Sequence, residues 1–245
     1  MISGIVSASQ RCVRVNREPT VVHLSQRLAA HDTLPDIIAG MLHIENLGKR
    51  YGDHLVFQGL THHFSPGCHA LCEEDGTGKT TLLNIIAGVI APDEGDVRID
   101  GHSIVKAPQQ AKTRLAYVPE NCLAFPQLTG RELLQQRATE MGVVLDNDVL
   151  DLAADLGLEP HLDKRFEQMS TGTRRKVYLT AAVLGDPAVI IADGPSGGLD
   201  RAARDVLTEL FTYWSRDRVV LFASYDHDLV QACQARPFNL AGYRS

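Results

Sequence analysis

The stretch Asp75-Gly-Thr-Gly-Lys-Thr-Thr81 decides the fold of this 245-residue chain. It follows a short apolar segment that ends at Cys72 and opens a segment, residues 79–87, whose apolar residues recur at helical spacing. A loop between a strand and a helix presents backbone N–H groups at the helix N-terminus, and these suit a phosphate group. The sequence therefore predicts a phosphate-binding loop at residues 75–81.

Each residue type in this loop suits the binding of a phosphate group and its metal ion. Gly76 and Gly78, on either side of Thr77, let the backbone approach a phosphate closely. Lys79 is placed to reach the β- and γ-phosphates of a nucleotide. Two hydroxyls follow: Thr80 is placed to ligate Mg²⁺, and Thr81 to contact a neighbouring phosphate. ATP and Mg²⁺ are therefore the predicted ligands.

Three acidic residues precede the glycines: Glu73, Glu74 and Asp75. The usual pattern begins with a glycine at the position of Glu73. A carboxylate that lies roughly 8 Å from a phosphate charge repels it, and this repulsion weakens binding by about 0.5–2 kcal/mol before ionic screening. Glu73 is also expected to adopt a backbone geometry that glycine takes at lower cost. We therefore expect nucleotide binding to survive, but to be weakened.

Outward from the loop, predicted strands alternate with predicted helices. The strands are expected at residues 42–47, 55–64, 69–72, 97–99, 115–118, 188–193 and 219–223. The helices are expected at residues 79–87, 131–141, 146–156, 171–184 and 201–214. This alternation predicts an α/β fold with a mostly parallel sheet covered on both faces. The largely helical residues 121–169 are predicted to be a small separate subdomain.

Composition excludes several classes of protein. Hydrophobic residues make up 44% of the chain and charged residues 22%, close to the globular average, so the chain is neither disordered nor fibrous. The formal net charge of −6 argues against a nucleic-acid partner. No stretch approaches the roughly 20 apolar residues that cross a bilayer. Five scattered cysteines are typical of a reducing compartment.

The first forty residues differ from the rest. Residues 1–40 contain four arginines and no acidic residue before Glu18, and they lack the apolar region of a secretory signal. We interpret them as an N-terminal extension outside the domain, with a transit peptide as the alternative, and residues 41–245 as the domain.

Further motifs stand in a fixed order around the phosphate-binding loop. They are Tyr51, then Tyr117-Val-Pro-Glu120, Met169-Ser-Thr-Gly-Thr173, Ala188-Val-Ile-Ile-Ala-Asp193 and Gly194-Pro-Ser-Gly-Gly-Leu-Asp200. With them, residues 41–245 resemble the nucleotide-binding domain of an ATP-binding-cassette (ABC) transporter. The resemblance implies a P-loop NTPase core with a mostly parallel sheet, an N-terminal antiparallel β portion and a helical subdomain at residues 121–169.

The resemblance also implies roles outside the phosphate-binding loop. Tyr51 would stack on adenine, and Glu120 would lie in the loop that senses the γ-phosphate. Lys79 and Asp193 would be the catalytic residues. Mg²⁺ would be held by Thr80 and Asp193, and by Glu120 in place of the family's glutamine.

In the family two cassettes pair head to tail, and the signature of one contacts the nucleotide of the other. Here the signature residues would be Ser170, Thr171 and Gly172, with Asp200 in the loop that faces the dimer partner. The basic run Arg174-Arg-Lys176 is interpreted mainly as a solvated helix face, with contact to a partner's nucleotide as the alternative.

Two substitutions put hydrolysis in doubt. The position of the family's water-activating glutamate is Gly194, so the general base is absent, and the position of its histidine is Tyr225. A positioned base is worth roughly 10²–10⁴ in rate, so we expect slow hydrolysis. Two rescues are open: Glu120 as an anionic Mg²⁺ ligand, and His227, two residues beyond the missing histidine.

Two functions follow from these expectations. The first is the ATP-hydrolysing subunit of an ABC transporter, dimeric with itself or with another cassette. It would be peripheral on the cytoplasmic face of the cell membrane and bound to a separate permease, with Phe125-Pro-Gln-Leu128 as the expected contact. The second is a non-hydrolysing scaffold or regulatory subunit that pairs with a competent cassette protein.

Overall fold

Two β-sheets and their flanking helices form the part of the protein that the computed structural model describes, residues 41–122 and 125–243. The strands in these ranges are β1 (Leu42–Tyr51), β2 (His54–Phe64), β3 (Gly67–Leu71), β4 (Glu94–Ile99), β5 (His102–Ser103), β6 (Leu115–Val118), β7 (Val189–Asp193), β8 (Val219–Ala223) and β9 (Arg236–Pro237). The α-helices are α1 (Lys79–Ile86), α2 (Pro108–Thr113), α3 (Gly130–Met141), α4 (Asn147–Asp155), α5 (Thr171–Ala181), α6 (Arg201–Trp214) and α7 (His227–Ala232). The predicted extension, residues 1–40, lies outside the described residues.

The larger sheet is parallel and has the strand order β6-β7-β8-β3-β9. Its central strands are mostly apolar because each contributes alternate side chains to two separate clusters. On β7, Val189 and Ile191 pack into the cluster around α1, while Ile190 and Ala192 pack into the cluster around α6. Burial on both faces is what a continuous apolar strand predicts.

The smaller sheet is antiparallel, with the order β2-β1-β4-β5. Together the two sheets confirm the expected fold class, a mostly parallel core with an N-terminal antiparallel portion. Strand β1 is longer than predicted and continues from residue 47 to Tyr51. Its pairing with β2 contains register shifts, which interrupt the alternation of polar and apolar residues that the prediction used.

A third apolar cluster lies among α3, α4 and α5, and includes Leu134, Phe166 and Val177. Helix α3 begins at a capping box, in which Thr129 and Glu132 exchange hydrogen bonds. The proposed subdomain boundary at 121–169 stays a prediction. No helix within the described ranges is both long and apolar enough to span a bilayer.

Candidate functional site

The carboxyl ends of three parallel strands meet at one edge of the larger sheet. Leu71 of β3 and Asp193 of β7 are both in register with Ala223 of β8. The loop after β3 is the predicted phosphate-binding loop, and Tyr225 lies two residues beyond the end of β8. This edge is where open α/β sheets place ligands. The topology thus brings the loop, Asp193 and Tyr225 together.

The two glycines of the loop both have left-handed backbones, but for different reasons. Gly78, the N-cap of α1, has a φ of 93°, and a Cβ atom there would lie 2.5 Å from Cγ1 of Val56. Gly76 has a φ of 74° and open space around its Cα. At Gly78 a side chain would collide with Val56. At Gly76 there is room for a side chain, and only the backbone conformation favours glycine.

Lys79 is buried at the start of α1, and its ammonium is fully hydrogen-bonded. It donates to the carbonyls of Glu73 at 2.5 Å and Glu74 at 2.7 Å, and to the hydroxyl of Tyr225 at 2.7 Å. The Tyr225 hydroxyl in turn donates to Asp75 at 2.5 Å. That hydrogen bond is the main reason why the pKa of Tyr225 rises to about 12, so the phenol keeps its proton at neutral pH.

The acidic residues before the loop do not act alike. The expectation that Glu73 needs a glycine-like backbone was wrong, since its φ lies outside the left-handed region. Its carboxylate accepts a hydrogen bond from the backbone N–H of Ala241 at 2.9 Å and so is fixed to the C-terminal segment. The carboxylate of Asp75, in contrast, accepts a hydrogen bond from Tyr225, whose hydroxyl also contacts Lys79.

Asp193 and Thr80 form the part of the site that suits a divalent cation. Thr80 lies beside the Asp193 carboxylate and lowers its pKa, and Oδ2 of Asp193 is buried with no hydrogen-bond partner. Burial raises the pKa of Asp193, and the nearby charge of Glu120 raises it further. A hydroxyl beside a buried carboxylate oxygen without a partner is a fitting donor set for Mg²⁺, which prefers one or two such ligands plus phosphate oxygens and water.

Tyr51 lines the same cleft as residues 75–81, at the end of β1. Its ring is 48% exposed and lies 5.4 Å from Nζ of Lys49. An exposed aromatic face at the edge of a phosphate cleft is available for stacking on a planar base.

The signature residues line a different cleft. Ser170 caps α5 by accepting a hydrogen bond from the Thr173 N–H at 3.1 Å, and it lines this cleft with Gly172 and Asp200. A Cβ atom on Gly172 would lie only 2.0 Å from the carbonyl oxygen of Gly198, so glycine is required there. Asp200 caps α6 and pairs with Lys176 at 2.6 Å. Within one chain, then, the signature and the phosphate-binding loop line separate clefts.

The model of the ABC transporter family matches residues 58–197 of this chain. Nod factor export ATP-binding protein I of Paraburkholderia xenovorans is 32% identical over 198 residues, which cover 75% of this chain and 62% of that protein. Cytochrome c biogenesis ATP-binding export protein CcmA of Haemophilus influenzae is 32% identical over 207 residues, 83% of this chain and 97% of that one. The chain belongs to the ABC transporter family.

Solved structures agree on the fold of this ABC protein. The structure of an ATP-binding subunit of an ABC transporter superposes with a TM-score of 0.72 at 24% identity, covering 82% of this chain and 85% of the other. This chain spans about three fifths of the length of the Nod factor export relatives. Family membership confirms the recognition made from the ordered motifs.

One functional candidate in this ABC protein was missed by sequence reasoning. Arg175 was interpreted as part of a solvated face, and that was wrong: it is 4% exposed. Its guanidinium donates to the carbonyl of Gly197 and, at 2.6 Å, to that of Glu120. It therefore joins α5 to the loop that contains Glu120 and to the loop that contains Gly197. The signal that would have found it is its helical spacing from two buried residues, Gly172 and Leu179.

Gly194, the position at which the family resemblance implies a glutamate, adopts a φ of 59°. Its N–H donates to the carbonyl of Ala223 at 2.9 Å, and no atom lies within 4 Å of where its Cβ would be. The position thus has room for a side chain, although a left-handed backbone disfavours one. His227, the candidate substitute for the family's histidine, is exposed at the first turn of α7 and lines a surface hollow with Tyr225.

Proposed function

We propose that this protein binds Mg·ATP in the phosphate-binding loop and serves as the ATP-binding subunit of an ABC transporter. The observation that carries the proposal is the buried Oδ2 of Asp193, which has no hydrogen-bond partner and lies near Thr80 and Lys79. A structural carboxylate would be expected to have its oxygens satisfied. Its relatives, a Nod factor export ATP-binding protein and a cytochrome c biogenesis ATP-binding export protein, support the same role.

Each residue of the cleft has a proposed task. Lys79 would neutralise charge on the β- and γ-phosphates, and Tyr51 would hold the adenine. Thr80 and Asp193 would hold Mg²⁺, with the exposed Glu120 as the third candidate ligand. When bound, the metal would neutralise charge that develops on the phosphates. Because phosphoryl transfer depends mostly on positioning and charge, slow hydrolysis is compatible with the absence of a base at Gly194.

The partner proposals rest on two surfaces. The signature cleft would receive the nucleotide of a second cassette, identical or different. A groove between the end of β6 and α3, lined by Tyr117 and by Phe125 with 47% exposure, would receive a permease held in a separate chain. Such a partner would place the protein on the cytoplasmic face of the cell membrane.

Calorimetric titration of Mg·ATP into the full chain tests the proposal, with Lys79→Ala as the control. We expect saturable binding that the substitution abolishes. Equal heats from both folded proteins would show that the nucleotide binds elsewhere, and an absence of binding in both would end the proposal.

A second function is favoured by one observation. Gly194 supplies no side chain to activate water, so the protein would bind nucleotide as a scaffold or regulatory subunit beside a competent cassette. Phosphate release at the level of a Lys79→Ala control, alongside normal Mg·ATP binding, would favour this function over the first.

A further inference from the structure

Lys79 has three ammonium hydrogens, and all three are in use. Two are donated to carbonyls of the loop itself, Glu73 and Glu74, and the third to the hydroxyl of Tyr225. A lysine has no other donors. A phosphate oxygen that is to bind Lys79 must therefore replace one of these acceptors.

Of the three acceptors that bind the Lys79 ammonium, the Tyr225 hydroxyl is the one that a phosphate oxygen can replace most easily. The two carbonyls belong to the backbone that shapes the loop, whereas Tyr225 is a side chain with 56% exposure. Its neighbours are fixed: Ser224 is buried and bonded to the N–H of Asp226, and Asp226 caps α7. Rotation about the side-chain bonds of Tyr225 is sufficient to release Lys79, with no change in the backbone.

The Tyr225 hydroxyl is also fully used in this arrangement. It accepts from Lys79 and donates to Asp75, and its ring centroid lies 4.7 Å from Nζ of Lys79. The ring thus covers the ammonium while the hydroxyl bridges a cation and an anion. We call Lys79, Tyr225 and Asp75 the tyrosine latch.

We propose that Tyr225 is a positioning residue that sets nucleotide affinity, because its hydroxyl holds Lys79 in the nucleotide-free protein and is displaced by a phosphate oxygen. This inference rests on the proposed function of the same site. Displacement also costs Asp75 its hydrogen-bond donor and leaves an exposed carboxylate beside the incoming phosphates. Both effects oppose binding, so the latch lowers affinity for a nucleoside triphosphate.

Tyr225→Phe in the full chain tests the latch, because it removes the hydroxyl and keeps the ring. We expect Mg·ATP to bind about threefold to tenfold more tightly, as loss of one competing hydrogen bond predicts. Tyr243→Phe is the matched control, since it removes a phenol that donates to the carbonyl of Thr61, on a strand of the smaller sheet. That variant is expected to bind Mg·ATP like the unmodified protein.

A double-mutant cycle separates the latch from a general effect on structure. In an Asp75→Asn background the gain from Tyr225→Phe is expected to shrink, because the two residues act through one hydrogen-bonded unit. A full, additive gain would show that Tyr225 acts on its own and would overturn the latch.

Every outcome of the titration decides between the proposals. Tighter binding by Tyr225→Phe than by the unmodified protein supports the latch. Equal or weaker binding by the variant, with the unmodified protein binding normally, overturns the latch and leaves the proposed function standing. An absence of binding in both overturns both.

Discussion

At the scale of single residues, burial of Asp193 lowers the stability of the fold at a position where we propose that Mg²⁺ binds. Burial raises its pKa above the ordinary value of 3.8, so the folded state favours the protonated form. The stabilising contribution of that protonated form is complete below the unfolded pKa and is lost as pH rises through the higher folded pKa. Above that folded pKa the charged carboxylate therefore destabilises the nucleotide-free protein.

Asp193→Asn is expected to raise the free energy of unfolding at pH values above the folded pKa of Asp193, and to weaken Mg²⁺-dependent nucleotide binding. Urea denaturation and calorimetry measure the two effects. Asp163→Asn is the control, because that exposed carboxylate forms a surface ion pair with Arg131 whose loss is expected to leave stability nearly unchanged. A less stable Asp193→Asn protein would contradict the argument.

Gly194 offers the converse experiment, in which a candidate general base is introduced. Gly194→Glu is expected to cost about 1–2 kcal/mol of stability, because of the left-handed backbone, and to raise ATP hydrolysis by about 10²-fold or more. Gly194→Gln has the same size and the same strain without a base. Phosphate release measured on both variants decides: equal rates would mean that a carboxylate at this position is not enough.

At the scale of elements, helix α5 is the connection between two loops. Its buried Arg175 reaches the backbone carbonyls of Glu120 and Gly197, which come from segments far apart in sequence. The N-terminal turn of α5 packs directly on the second of these loops, since Gly172 touches Gly198. Movement of either loop therefore has to involve this helix.

Arg175→Met keeps the apolar stem and removes the guanidinium, which leaves two carbonyls without their donor. We expect the free energy of unfolding to fall by about 2–4 kcal/mol. Arg201→Met, at an exposed position at the start of α6, is expected to change it by no more than about 0.5 kcal/mol. Chemical denaturation checks both, and similar values for the two variants would rule out a bridging role for Arg175.

The sequence predicted the long elements and missed the short ones. Helix α6 and strand β8 have the predicted bounds because each has a clear period or a continuous apolar run. Helices α2 and α7 have six residues each, too few to show a helical period. Strand β9 has two residues and is fixed by its pairing with β3.

The same contrast holds in the candidate site. Lys79 and Thr80 were predicted from the local spacing of a short motif, and Asp193 from the family resemblance. The contact between Lys79 and Tyr225 joins residues 146 positions apart, and that between Arg175 and Glu120 joins residues 55 apart. Such contacts depend on the sheet order, which composition and periodicity do not specify.

At the scale of the whole molecule, the separation of the two clefts makes a test of pairing possible. Lys79→Ala removes the cation of one cleft, and Thr171→Arg places a bulky side chain at an exposed position of the signature. Neither variant alone is expected to dimerise with Mg·ATP. A mixture is expected to dimerise, because each mixed dimer contains one intact composite site.

Light scattering of the separate and mixed variants measures this, with the unmodified chain as reference. Dimers of either variant alone, or a mixture that stays monomeric while the reference dimerises, would contradict head-to-tail pairing.

The order of the parallel sheet has a consequence for synthesis of the protein. Strand β3 pairs with β8 on one side and β9 on the other, and both are translated long after it. At the usual 5–20 residues per second, about 7–30 s separate residue 71 from residue 219 on the ribosome. During that time the nascent chain carries an apolar strand with no neighbours, a recognised template for aggregation. Chaperone capacity and translation speed, rather than the stability of the finished fold, are therefore expected to limit how much of this protein a cell can make.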